Sequence, residues 1–102
     1  MSKEILLVCG SGASSGFMAA NMRKAAKKAG LDYKIKARSE SELETYADSI
    51  DALMIGPHLA YLEDEAREIV DHSVKVILMK PDYYSTLDGE KALEHLRSEL
   101  AE

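Results

Sequence analysis

A single cysteine, Cys9, stands in a chain of 102 residues. With one thiol there is no internal disulfide framework, which fits a reducing cytosol. No apolar run approaches the ~20 residues of a membrane-spanning helix, and the N-terminus has no signal-peptide core. Cysteine, histidine and acidic residues do not fall at zinc-ligand spacing, so neither a metal nor any other cofactor is implied. Cations are too few for bulk nucleic-acid binding: 13 Lys and Arg against 18 Asp and Glu leave a net charge of −5. There is no internal repeat, low-complexity tract or linker. What is present is an ordinary globular composition in a length suited to one domain, 1–102, with a modest core.

Four apolar runs alternate with four helical patterns. The run over 5–8 is continuous, as in a strand buried on both faces. Met18, Met22, Ala25, Ala26 and Ala29 follow at helical spacing, and Gly30 stands where a helix stops. Tyr33, Ile35 and Ala37 alternate with Lys34, Lys36 and Arg38, the pattern of a half-exposed edge strand. Ser39 and Glu42 have capping-box spacing, ahead of a short helix with the stripe Leu43, Tyr46, Ala47 and Ile50. A third strand covers 52–55 and closes at Gly56-Pro57. Leu59, Leu62, Ala66 and Ile69 predict a helix over about 59–71. The fourth strand covers 74–79 and ends at Pro81. Asp88 is the expected cap of a last helix with the stripe Ala92, Leu93, Leu96 and Leu100. This alternation predicts an α/β fold of three layers, a four-stranded parallel sheet with helices on both faces. With the alternating strand at an edge, the order is 2-1-3-4, and ligands bind where that order reverses, beyond the ends of the first and third strands.

Cys9 falls at that point. It is followed by Gly10, Ser11, Gly12, Ala13, Ser14, Ser15 and Gly16, and then by the first helix. Glycines let successive backbone amides converge into an anion-binding nest. The helix N-terminus adds roughly half a positive charge. Both lower a thiol below its free pKa of about 8.5 and cradle the oxygens of a phosphoryl group. The segment is not a Walker loop, because no Gly-Lys-Ser/Thr follows. Gly10, Gly12 and Gly16 also miss the dinucleotide-binding spacing.

The Cys9 loop, the segment Met54-Ile55-Gly56-Pro57-His58-Leu59-Ala60-Tyr61 after the third strand, and Asp88-Gly89 before the last helix together resemble one family over essentially the whole chain. It is the IIB component of the bacterial phosphoenolpyruvate-dependent sugar phosphotransferase system, of the lactose/cellobiose type. The resemblance implies a fold similar to the low-molecular-weight tyrosine phosphatases and the flavodoxins. It implies a phosphocysteine at Cys9, a phosphate cradle from Gly10 to Gly16, a IIA phosphohistidine as donor and a sugar held by the membrane IIC component as acceptor. It also implies a cytoplasmic protein, transiently docked at the membrane through IIC. A monomer is the default expectation.

Two alternatives share the loop. Low-molecular-weight tyrosine phosphatases carry Cys, five residues, then Arg, and a distant Asp-Pro acid; the arginine clamps the transition-state oxygens. Here Ser15 stands at the arginine position, and Arg23, two turns on, is expected to point away. Asp82 after Pro81 reads as a turn residue rather than an acid. The other alternative, a non-enzymatic anion-binding regulator, needs no reactive thiol. Of the remaining residues, His58 reads as a surface position at a helix start on the active rim. His72 and His95 read as solvated helix positions, and Lys24, Lys27 and Lys28 as a solvated face. Tyr61, Tyr83 and Tyr84 are candidates for a docking surface, with core packing an equal option for Tyr61.

Overall fold

A computed structural model describes residues 3–8 and 13–100, without the side chains of 13–15 and 40. Strands β1 (Lys3–Val8), β2 (Tyr33–Arg38), β3 (Ala52–Ile55) and β4 (Lys75–Leu78) form one sheet in the order β2-β1-β3-β4. All three pairings are parallel, as the strand–helix alternation predicts. Helices α1 (Ala13–Lys28), α2 (Leu43–Tyr46), α3 (Glu63–Ile69), α4 (Pro81–Ser85) and α5 (Gly89–Glu99) make the connections, with 3-10 turns at Glu40–Glu42 and Pro57–Leu62.

The period of two along each strand sorts the core into two halves. Ile5, Leu7, Ile35, Ala52, Met54 and Ile77 pack under Met18, Met22 and Ala26 of α1 and Ala92, Leu93 and Leu96 of α5. Leu6, Val8, Leu53, Ile55 and Val76 pack against Leu43, Leu59, Ala66 and Val70 on the other face. Every residue of β3 is therefore buried, which is why it reads as a continuous apolar run. β2 lies at the edge and alternates, with Ile35 buried between exposed Lys34 and Lys36.

Caps and close approaches fix the ends of the helices. Gly30 has φ +75, and the Gly30 and Leu31 amides donate to the Lys27 and Ala26 carbonyls at 3.1 and 2.9 Å, a complete Schellman stop. Glu42 reaches back to accept from the Ser39 amide at 3.3 Å, half of the expected capping box. Asp88 accepts from the Lys91 amide at 3.1 Å and caps α5. At Gly89 a Cβ would lie 2.4 Å from the Asn21 carbonyl carbon, so α1 and α5 cross where only glycine fits. Asn21 Nδ2 also donates to the Leu87 carbonyl at 2.8 Å, tying α1 to the residue before that cap.

Three local expectations need correction. The helix expected over 59–71 is a 3-10 turn at Pro57–Leu62 followed by α3, because Leu59 at φ −111, ψ 29 breaks the helical path. Pro81 opens α4 instead of merely closing the strand; its fixed φ and missing N–H suit a first helical position. Ala29 is exposed and Ala19 takes the buried place in the α1 stripe.

Candidate functional site

The sheet order places the candidate site at the carboxyl ends of β1 and β3, where the chain leaves in opposite directions. The two strand ends are coupled. Val8 and Ile55 are register partners, and the Gly56 amide donates to the Val8 carbonyl at 3.0 Å. Cys9, Gly10, Ser11 and Gly12, and the side chains of Ala13, Ser14 and Ser15, lie outside the described residues. Their flanks are described: Val8, 1% exposed, ends β1, and α1 begins at Ala13. Gly16 is exposed, and a Cβ placed on it would meet nothing within 4 Å, so that face of α1 is open.

Around this point stand groups that the core has no use for. Phe17, in the opening turns of α1, is 66% exposed, and Tyr61 in the 3-10 turn after β3 is 71% exposed. They are the exposed large hydrophobic side chains among the described residues. Tyr61 thus belongs to the surface and not to the core. His58 is exposed and opposes the ring of Tyr84 at 5.8 Å between centroids, bringing the segment after β3 against the one after β4.

Tyr83 and Tyr84 part company. Tyr83 is buried at 4% exposure, so it is not a docking residue. Its hydroxyl lies 2.6 Å from His95 Nδ1, with the two rings edge to face. Burial raises the Tyr83 hydroxyl to about 12. Burial, with the charge of Lys80 adding to it, holds His95 below the usual histidine range. His95 is consequently half-buried and bonded rather than a solvated helix position. His72 is exposed, but in the turn after α3 rather than on a helix. Asp82 lies in the first turn of α4, facing a cleft of about 430 Å³ shared with Lys80, Lys91, Glu94, His95 and Ser98.

The cations divide in the same way. Lys24, Lys27 and Lys28 are exposed, and Lys28 pairs with Glu90, also exposed, at 3.6 Å. The Arg23 guanidinium is held at the sheet edge, donating from Nη1 to the Ile35 carbonyl at 2.7 Å. Arg38 went unnoticed in the sequence as a candidate for the rim. It is the register partner of Val8, so it sits at the carboxyl end of the sheet next to the strand that Cys9 follows. Its position as the last residue of an alternating strand was the available signal. No helix among the described residues is long and apolar enough to cross a membrane.

Comparisons with known proteins agree with this geometry. The family model for the lactose/cellobiose-specific IIB subunit of the phosphotransferase system matches residues 4–95. The oligo-beta-mannoside-specific EIIB component of Bacillus subtilis is 30% identical over 97 residues, covering 94% of each chain. The solution structure of a cellobiose-specific IIB component from Borrelia burgdorferi superposes with TM-score 0.77 at 27% identity, covering 97% of this chain and 92% of that one. The lactose-specific IIB domain of Streptococcus pneumoniae shares the fold at TM-score 0.81 and 13% identity, over 97% of this chain and 98% of that one. Matched along nearly its whole length, the chain belongs to the lactose/cellobiose-specific IIB subunits of the sugar phosphotransferase system.

Proposed function

We propose that Cys9 is the phosphoryl acceptor and donor of this IIB subunit. In the first step the Cys9 thiolate attacks the phosphorus of a phosphohistidine on a IIA component. The S–P bond forms as the N–P bond breaks, and the imidazole nitrogen leaves with the electron pair. In the second step a hydroxyl of a sugar held by a IIC component attacks phosphorus. The O–P bond forms, the thiolate departs, and the hydroxyl proton passes to a base on the IIC side. Backbone amides of Gly10, Ser11, Gly12, Ala13, Ser14, Ser15 and Gly16 hold the three transferring oxygens, helped by the α1 dipole. On this reading 1–102 acts as a single carrier domain in the cytoplasm, monomeric, and meets the membrane only through IIC.

The observation that carries this reading is the position of Cys9. It directly follows Val8 at the junction of β1 and β3, four residues before α1 begins. Ser15 at the place of a phosphatase arginine supports a carrier, since the group must persist until the next protein arrives. The exposed Phe17, Tyr61 and His58 suit brief contact with two successive partners. Sugar choice belongs to the membrane component: relatives named for oligo-beta-mannoside, cellobiose and lactose all match this one chain.

The test is incubation with phosphoenolpyruvate, the general phosphotransferase proteins and a IIA component of lactose/cellobiose type. We expect a mass gain of one phosphoryl group that Cys9→Ser abolishes. Cys9-dependent hydrolysis of an aryl phosphate at phosphatase rates would overturn the proposal in favour of a hydrolase. An unchanged mass with several such IIA components would remove the carrier reading altogether.

A further inference from the structure

A groove of about 350 Å³ runs between α1 and the open edge of β2, lined by Gly16, Ala19, Arg23, Lys36, Ala37 and Arg38. Three of its six lining residues are cations, on a chain whose net charge is −5. None of the three is in an ion pair with a described carboxylate, unlike Lys28 with Glu90, Lys34 with Glu4 and Arg67 with Glu63. Glu42, the acid whose field reaches Arg38, has its carboxylate turned to the amide and hydroxyl of Ser39.

The fold positions these cations without using up their charge. Arg23 Nη1 donates to the Ile35 carbonyl at 2.7 Å. Arg38 donates from Nη1 to the Ala37 carbonyl at 2.7 Å and from Nε to the Tyr46 hydroxyl at 3.1 Å. Each guanidinium has five N–H donors, so both retain several for a carboxylate. Lys36 is exposed.

We infer that this groove receives the carboxylates of an acidic segment on the phosphoryl-donating protein, an inference that rests on the carrier reading of Cys9. Two of its lining residues lie on the described flanks of the proposed reaction site. Gly16 belongs to the opening turns of α1, and Arg38 is the register partner of Val8. A protein delivering a phosphoryl group to the residue after Val8 therefore overhangs the groove. Charge complementarity then supplies orientation and a faster encounter, at a place where the rest of this acidic surface would repel an acidic partner. A concave slot of this size admits a few side chains rather than a bilayer, and 18 acidic residues oppose approach to anionic lipid.

Lys36→Glu tests the inference with little risk to folding, since Lys36 is exposed; Arg23→Glu is the second variant. Lys75→Glu, at the amino end of β4, makes the same charge change away from the groove. With a phosphorylated IIA component of lactose/cellobiose type as donor, the groove variants should raise the donor KM about tenfold at low salt and leave kcat unchanged. Lys75→Glu should resemble the parent. The parent rate should fall between about 50 and about 200 mM salt, and Lys36→Glu should flatten that dependence. Parent-like KM and salt dependence in both groove variants, in a protein that still becomes phosphorylated, overturns the groove and leaves the carrier reading standing. If the parent takes up no phosphoryl group, the carrier reading fails instead. The groove is then judged by amide resonances of Lys36, Ala37 and Arg38 during titration with unphosphorylated IIA component: shifts support it, and their absence overturns it. Equal shifts with inorganic phosphate alone, or with phosphatidylglycerol vesicles, also overturn it.

Discussion

Tyr83 and Tyr84 show how far one position on a short helix can separate two chemically identical side chains. Tyr84 reaches His58 on the rim, while Tyr83 turns into the core and meets His95. A neutral imidazole offers Nδ1 as an acceptor to the Tyr83 hydroxyl. Tyr83→Phe keeps the ring and removes that bond, so it should cost about 0.5–1.5 kcal/mol in denaturant unfolding. The sign of the pH dependence follows from burial. His95 is held below its unfolded pKa, so the unfolded chain binds its proton first as pH falls. This contribution is complete above the ordinary histidine range and declines as pH drops through that range toward the lowered folded value. Melting temperature should fall over that window, and His95→Gln should flatten its fall. Neither residue's role was readable from sequence, because a histidine on an amphipathic helix looks solvated until its partner on another element is known.

At the scale of elements, the start of α5 depends on small features with separable costs. Asp88→Ala removes the side-chain cap on the Lys91 amide and should lower unfolding free energy by about 1 kcal/mol. Gly89→Ala places a methyl against the Asn21 backbone, which cannot rotate away. It should cost on the order of 1–3 kcal/mol and loosen the crossing of α1 and α5, read as faster amide exchange in both helices. The four strands and the long helices were legible because periods of two and 3.6 repeat often enough within them to be counted. α4 was missed for the opposite reason. Five residues contain little more than one helical turn, and Pro81-Asp82 carries the same chemistry whether it opens a helix or a turn. The break at Leu59 was equally silent, since a 3-10 turn and an α-helix bury the same kinds of residue.

For the whole molecule, strand order does the positional work. Residue Cys9 and the segment after Ile55 are far apart in sequence, yet the reversal between β1 and β3 brings their strands side by side. That much of the site followed from alternation and an edge strand. The groove beside it did not, because its cations come from α1 and β2, and only their packing brings Arg23 to the Ile35 carbonyl. The exposed rings belong to this scale too. Tyr61→Ser should change stability by less than about 0.5 kcal/mol, because the ring is 71% exposed. The same variant should slow phosphoryl exchange with a partner protein, measured as a higher partner KM.

The bonds from Arg23 and Arg38 to the Ile35 and Ala37 carbonyls reach beyond recognition. An edge strand offers a free ladder to any other strand, including one from a second copy of the same chain. Here two of its outward acceptors are already occupied by bulky, charged groups. Pairing of a second strand with this edge is thereby discouraged.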